Sequence, residues 1–361
     1  DMVRVAASKK RGYRYVNLFS GSACAGEKIE VGSRDVFLGL DLSAHILPAH
    51  HAQVERWKRE GLTCLFTIYD VLPLQHPEWF SGRMVRVFRR WMRSVAILGD
   101  GVICISNGVR ADFQSWLLEH YGLEPDDFRA RVIPLGGDIE SSVPSKGLPS
   151  GFDRFVAGLG GRKSVLMVGT IEPRKGHAEI LDAFEQLWRE GDTACLIIVG
   201  RPGWKTEHLQ ARLREHAEVG ARLAWFDDAS DEALSALYTA CDGVIVASQA
   251  EGFGLPIIEA LGYDKPVLAR DIPIFREQQR DGVDYFRGGG PVRLAVEIRG
   301  WLSRLTNQGC RPDNRRLPAT WVDSVDALVM TIEELTHPNV QPELDCLGFA
   351  GDDHFVTQTT T

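Results

Sequence analysis

The sequence predicts an α/β fold of two domains, each built on a doubly wound parallel sheet, facing each other across a cleft. Three observations carry that prediction. From about residue 160 short β-branched runs alternate with helical periods, and the first 135 residues repeat the alternation less cleanly. A Gly-, Ser- and Pro-rich stretch, GGDIESSVPSKGLPSG at 136–151, separates the two halves. Strand–helix–strand alternation at this spacing calls for a parallel sheet covered on both faces, and 361 residues are enough for two separate cores.

In the first half, DVFLGL (35–40), CLFTI (64–68), GVICI (101–105) and RVI (131–133) read as strands, with helices over 82–97 and 109–121. In the second half, SVLMV (164–168), CLIIV (195–199), LAWF (223–226), GVIVA (243–247) and PVLA (266–269) read as buried strands. Ile180, Leu181, Phe184, Leu187 and Trp188 share one face of a helix over 177–190. Leu234, Leu237, Tyr238 and Cys241 do the same after Asp231, which fits an N-cap. A last helix near 320–335 follows Pro318 and carries Trp321, Val325, Leu328, Val329 and Ile332. The expected domains are 1–140, a linker at 141–160, 161–318, a closing helix at 319–335, and a disordered tail at 336–361 that ends in TQTTT. The chain opens on Asp1 and shows no glycine-rich turn after an early strand, so a first domain lacking its initial units is expected.

Composition narrows the function classes. A net charge of -8 gives no global attraction to nucleic acid or acidic membranes. No apolar run approaches the ~18 residues of a membrane span, and no signal-peptide pattern opens the chain. The seven cysteines are scattered, without a Cys-x-x-Cys, as buried free thiols of a reducing, cytoplasmic compartment would be. Locally, RMVRVFRRWMR (83–93) sets Arg83, Arg86, Arg90 and Arg93 at helical spacing, with Met84, Val87 and Trp91 on another face. It reads either as a packed helix with a solvated arginine face or as a peripheral contact with the inner membrane.

In an open parallel sheet, ligands bind at the carboxyl ends of the strands. The loops there are GTIEPRKGH (169–177), GRPGWK (200–205), SQAEGFG (248–254) and RDIPIFRE (270–277), a rim suited to a phosphorylated, hydroxyl-bearing ligand. In AEGFGLPIIEA, Gly252 and Gly254 let backbone N–H groups approach a ligand. Pro256 fits the first position of a helix whose positive end stabilises phosphate. Arg174 and Lys175 can supply full charges to the same diphosphate. Glu251 and Glu259 flank the turn, placed for sugar and ribose hydroxyls. Arg201 and Lys205 are candidates for the nucleotide or plain solvated charges, and Asp70 is a cleft residue or a turn former. GLGGRKS (158–164) lacks the Gly that must precede the Lys of a P-loop. No G-x-G-x-x-G follows a strand, no Asp-x-Asp occurs, and no His pair stands at helical ligand spacing, so neither a nicotinamide nor a metal is expected.

EGFGLPIIE together with VGTIEPRKGH resembles glycosyltransferase family 4, retaining enzymes of GT-B fold, nearly throughout the second domain. The likeness extends weakly into the first domain through TIYDVLPLQHPEWF (67–80) and ICISNGVRADF (103–113). It implies that Glu251 touches the donor sugar, that Phe253, Gly254 and Leu255 bind the diphosphate, with Gly252 among the donor-binding residues, that Glu259 holds the ribose, and that Lys175 binds phosphate. It also implies a metal-independent reaction whose only small molecule is the nucleoside diphosphate sugar. Two departures stand out: Gly169-Thr170 where many relatives have Gly-Arg, with Arg174 as the substitute, and Tyr69-Asp70 on the acceptor side where many have His-Asp. TIYDVLPL, PGWKTE and RDIPIFRE most resemble mannosyl- and rhamnosyl-transferring members, which favours GDP-mannose and a glycan or lipid-linked acceptor. The alternatives left open are a non-catalytic glycosyltransferase-like domain of a larger multidomain chain and a sugar-nucleotide epimerase of similar fold.

Overall fold

The computed structural model describes residues 31–141, 144–277, 281–305 and 318–336, preceded by the strands β1 (Met2–Arg4) and β2 (Arg14–Val16). The first half continues through β3 (Val36–Gly39), α1 (His51–Arg59), β4 (Thr63–Ile68), α2 (Leu72–Gln75), α3 (Gly82–Leu98), β5 (Gly101–Cys104), α4 (Asn107–Tyr121) and β6 (Ala130–Val132). The second half comprises α5 (Phe152–Gly158), β7 (Ser164–Val168), α6 (His177–Arg189), β8 (Cys195–Val199), α7 (Glu207–Glu215), β9 (Leu223–Phe226), α8 (Asp231–Ala240), β10 (Gly243–Val246), α9 (Leu255–Gly262), β11 (Val267–Arg270), α10 (Pro273–Glu277), β12 (Val283–Phe286) and α11 (Pro291–Arg304). A final helix, α12 (Trp321–Thr336), follows.

Two sheets result, ordered β2-β1-β3-β4-β5-β6 and β12-β11-β10-β7-β8-β9. The second is parallel throughout. The first is parallel from β3 to β6 but carries an antiparallel β1–β2 edge that the sequence does not announce. Strands buried on both faces need no polar alternation, and β8 is accordingly apolar and buried from end to end. On one side of the second sheet α6 and α11 pack through Phe184, Leu187, Ile298 and Trp301. On the other side α8 and α9 pack through Leu237, Tyr238, Ile257 and Leu261.

The order of the second sheet locates its crevice. β7 and β10 are neighbours at the centre; from β7 the chain winds outward to β8 and β9, and from β10 outward the other way to β11 and β12. Loops leaving β7 and β10 therefore diverge at a topological switch point, where an open α/β sheet binds its ligand.

Three local expectations are corrected. The segment read as a linker, 141–160, contains α5, whose Phe152 is buried in the second core with the following Leu159. The cap of α8 is Ser230, which is extended and accepts from Ala233 N, while Asp231 sits one position inside and accepts from Ser145 N and Oγ at 2.8 Å. α12 returns to the first sheet and buries Leu335 against Leu65, Ile103 and Ile133, with Leu328 and Ile332 packed beside it as expected, whereas Trp321, Val325 and Val329, read as part of the same face, are exposed. The expected tail beyond Thr336 lies outside the described residues. Cys64, Cys104, Cys195 and Cys241 are buried free thiols, and burial pushes Cys64, Cys104 and Cys241 up to about 12. Among the described residues no helix is long and apolar enough to cross a membrane.

Candidate active site

Two glycines shape the switch point. Gly176 has φ 78°, and a Cβ there would lie 2.4 Å from Ala247 O, so only glycine lets the start of α6 press against the end of β10. Gly254 has φ 103°, with a Cβ position 2.8 Å from the Phe275 ring. α9 then starts at Leu255, which puts Pro256 at the second helical position, one later than its residue type suggested. Neither α6 nor α9 has a side-chain cap. Among the described residues, nothing accepts from the N–H groups of Phe253, Gly254 or Leu255. Uncapped helix starts with free N–H groups favour an anion.

Charged side chains gather at that spot. Glu251 receives Lys175 Nζ at 2.5 Å and Arg174 Nη1 at 2.7 Å, and Arg174 Nε also reaches Glu172 at 3.1 Å. These four side chains are only 9–15% exposed. Burial pushes the Glu251 carboxyl up, but the Lys175 and Arg174 charges and hydrogen bonds outweigh it and hold the carboxyl below its ordinary range. Arg174 is the reverse: burial lowers it, and Glu251 and Glu172 more than compensate. Asp70 arrives from the first domain at the end of β4. Burial raises its pKa, with the Arg174 charge opposing, while its Oδ1 accepts from Leu72 N at 3.1 Å.

The structure thus brings Asp70, Arg174, Lys175 and Glu251 together, with Gly169 lying along the Lys175 side chain. Glu259 stands on the first turns of α9, where buried Tyr238 donates to its Oε2 at 2.8 Å and burial raises its pKa. Phe253 turns its ring into the first domain's core, joined there by Leu255, so only the backbone of this turn faces the site. Thr170 packs its methyl group near Gly203. Two candidates stand apart. Arg201 is 82% exposed and, among the described residues, reaches only Asp228, at 3.9 Å, because its side chain leaves the loop into solvent. The Tyr69 hydroxyl donates away from the cluster, to Leu40 O at 2.5 Å, although its carbonyl lies against Gly252.

Sequence reasoning misses several residues here. Glu172 and Ser248 support Arg174 and Glu251, and their signal was only membership of the right loops. His177 is fully buried beside Lys175; burial, then the Lys175 charge, lowers its pKa to about 3, with a hydrogen bond to the Gly169 backbone opposing. The domains also clasp each other. Trp204 Nε1 donates to Trp79 O at 2.7 Å, and Lys205 Nζ to Glu78 O and Phe80 O at 2.5 and 2.8 Å. Lys205 therefore ties the domains together. Among the described residues no cluster of three or more His, Cys, Asp or Glu side chains is arranged to hold a metal ion.

Two facing α/β domains with a buried acid–base cluster and free helix N-termini at the switch point make up the GT-B fold, and the chain resembles the glycosyltransferases of family 4 type. Residues 151–292 match the family described as glycosyl transferases group 1. The serotype-specific mannosyltransferase WbdA of Escherichia coli is 37% identical over 328 residues, 89% of this chain and 40% of the relative. A D-inositol 3-phosphate glycosyltransferase of Nocardia farcinica is 34% identical over 286 residues, 76% of this chain and 61% of the relative. The chain thus spans about two fifths of the WbdA relatives' length. Among solved structures, Anabaena HepE in complex with UDP-glucose is similar in fold, with a TM-score of 0.57 at 22% identity over 83% of this chain and 77% of that one.

Proposed function

We propose that the chain catalyses metal-independent transfer of a hexose, with retention at the anomeric carbon, from a nucleoside diphosphate sugar to a growing polysaccharide or lipid-linked glycan. GDP-mannose is the preferred donor, a choice supported by relatives named as mannosyltransferases. One observation carries the reading. Lys175 and Arg174 stand at the switch point on Glu251, which opens the turn whose N–H groups at residues 253–255 have no acceptor among the described residues. A diphosphate can accept from all of these at once.

In the free site Glu251 neutralises both cations. An arriving diphosphate takes over Lys175 and the turn amides, and Glu251 accepts from the sugar hydroxyls. As the bond from the anomeric carbon to the phosphate oxygen breaks, its electron pair stays on the diphosphate, where those donors stabilise the growing charge. The acceptor hydroxyl attacks from the face the phosphate leaves, and its proton passes to the departing phosphate oxygen. Asp70 closes the sugar pocket from the first domain, Glu259 receives ribose hydroxyls, and closure keeps water out. No side chain takes a covalent role. The test is NMR of GDP-mannose with methyl α-mannoside and a metal chelator. An α-linked product with release of GDP supports the reading; a β-linked product, or no transfer from any nucleotide sugar, rejects it.

The reading extends to where the acceptor is held. α3 exposes Arg83, Arg86, Arg89, Arg90 and Arg93, and among the described residues none of the five has an ion-pair partner. Val85, Phe88, Trp91, Met92 and Val95 bury its other face. The helix starts just after the Trp79–Phe80 clasp at the cleft. Such a face suits anionic lipid headgroups. Co-sedimentation with vesicles containing phosphatidylglycerol, lost on vesicles of phosphatidylcholine alone and in an Arg86→Gln/Arg90→Gln/Arg93→Gln variant, is the expected result. Equal binding of that variant would leave only a solvated helix face.

A further inference from the structure

The carbonyl of Gly252, in the middle of the donor turn, is held by a residue of the other domain. Ser106 Oγ donates to Gly252 O at 2.7 Å and accepts from Val109 N at 3.1 Å. One buried hydroxyl therefore caps α4 and ties the turn at the same time. A planar trans peptide sends its C=O and N–H in opposite directions. With the Gly252 oxygen drawn toward Ser106 in the first domain, the Phe253 N–H is turned back toward the second domain, where Lys175 and Arg174 stand. Both flanks of this peptide are pinned as well. A Cβ on Gly252 would lie 1.9 Å from Tyr69 O, and the Phe253 ring is 8% exposed in the first domain's core. The peptide cannot flip without breaking the Ser106 bond and lifting that ring.

We infer that Ser106 is a positioning residue for transfer: it sets the direction of the Phe253 N–H, so the diphosphate site is complete only while the first domain is closed on the turn. The inference rests on the diphosphate reading above. It makes closure and leaving-group stabilisation one event, since opening the cleft releases the carbonyl that orients the amide.

The test compares three variants in GDP calorimetry and in mannose transfer from GDP-mannose to methyl α-mannoside. Ser106→Ala removes both bonds, and Ser106→Thr keeps a hydroxyl that caps and donates. Glu277→Gln is the control. Glu277 accepts from Asn107 N, Asn107 Nδ2 and Gly108 N at 2.6, 3.0 and 2.9 Å, so its change weakens the same helix end and the same domain contact without touching Gly252. Ser106→Ala is expected to lower kcat by roughly 10–100-fold, less than outright loss of one transition-state donor, and to weaken GDP binding. Ser106→Thr should recover most of this. Glu277→Gln should lower Tm with a much smaller loss of kcat, since it loosens the contact but leaves the Ser106 bond to Gly252 in place. A wild-type kcat in Ser106→Ala, or equal losses in Ser106→Ala and Glu277→Gln, overturns the assignment. A wild type that neither binds GDP nor turns over GDP-mannose overturns the diphosphate reading itself, and this inference with it.

Discussion

Gly252→Ala puts the closed arrangement under direct strain. The added Cβ would sit 1.9 Å from Tyr69 O and 3.3 Å from Asp70 Cβ. Carbon–oxygen contacts normally settle at about 3.3–3.6 Å, so the domains must part by roughly 1.5 Å at this point. The obstacle is a backbone carbonyl, which no rotamer change can move. Gly252 does not have a positive φ, so the turn's own conformation tolerates alanine. The same displacement stretches the 2.7 Å bond from Ser106 to Gly252 O beyond hydrogen-bonding range. Losing that bond costs about 1 kcal/mol of stability. Displacing the reacting groups by ~1 Å costs on the order of 100-fold in rate. Steady-state transfer assays beside thermal melts should therefore show a large fall in kcat with a small fall in Tm. Gly262→Ala, whose Cβ would meet nothing within 4 Å, serves as the neutral control. A Gly252→Ala enzyme with wild-type kcat would refute the claim that the turn works against the first domain.

The other predictions concern the charged cluster and its supports. Arg174→Met strands two buried carboxylates, Glu172 and Glu251, with Lys175 alone; urea unfolding should show a loss of about 3–5 kcal/mol, partly restored by adding Glu251→Gln, and an unchanged midpoint would mean Arg174 is not structural. His177, held near 3 when folded and ordinary when unfolded, binds its proton less readily in the native state. Its stabilising contribution is therefore complete above pH ~6.5 and declines by about 1.4 kcal/mol per pH unit toward pH ~3. His177→Phe should flatten that part of the stability–pH curve, and parallel curves for the two proteins would contradict the burial argument. Tyr238→Phe removes the hydroxyl that donates to Glu259 and should weaken GDP binding several-fold in calorimetry; an unchanged affinity would separate Glu259 from the ribose.

What could be read from the sequence follows physical lines. β8 and β10 are legible because strands buried on both faces appear as uninterrupted apolar runs, and β4 because only Thr67 breaks its run of Cys64 to Ile68. α1 is not, because its exposed length buries only Val54 and Trp57. Lys175, Arg174 and Glu251 are legible because a parallel sheet places its strand-exit loops on one rim, whatever the details of packing. Arg201 lies on the same rim with a suitable side chain, yet loop membership does not decide a rotamer, and it points into solvent. Ser106 is invisible for another reason. Its partner is 146 residues away in the other domain, and as an N-cap it already has a sufficient local role. Tyr238 is hidden likewise, since its helical period marks it as core and nothing local reveals that its hydroxyl meets Glu259.

The central claim is that Lys175 and the turn after β10 form a metal-independent diphosphate site. Calorimetric titration of GDP in the presence of a chelator, into the wild type and into Lys175→Met, addresses it most directly. The account predicts binding by the wild type and at least about tenfold weaker binding by the variant, the ~1.4 kcal/mol of one charge-assisted contact. No binding by the wild type without metal, or equal affinities in the two proteins, would contradict it.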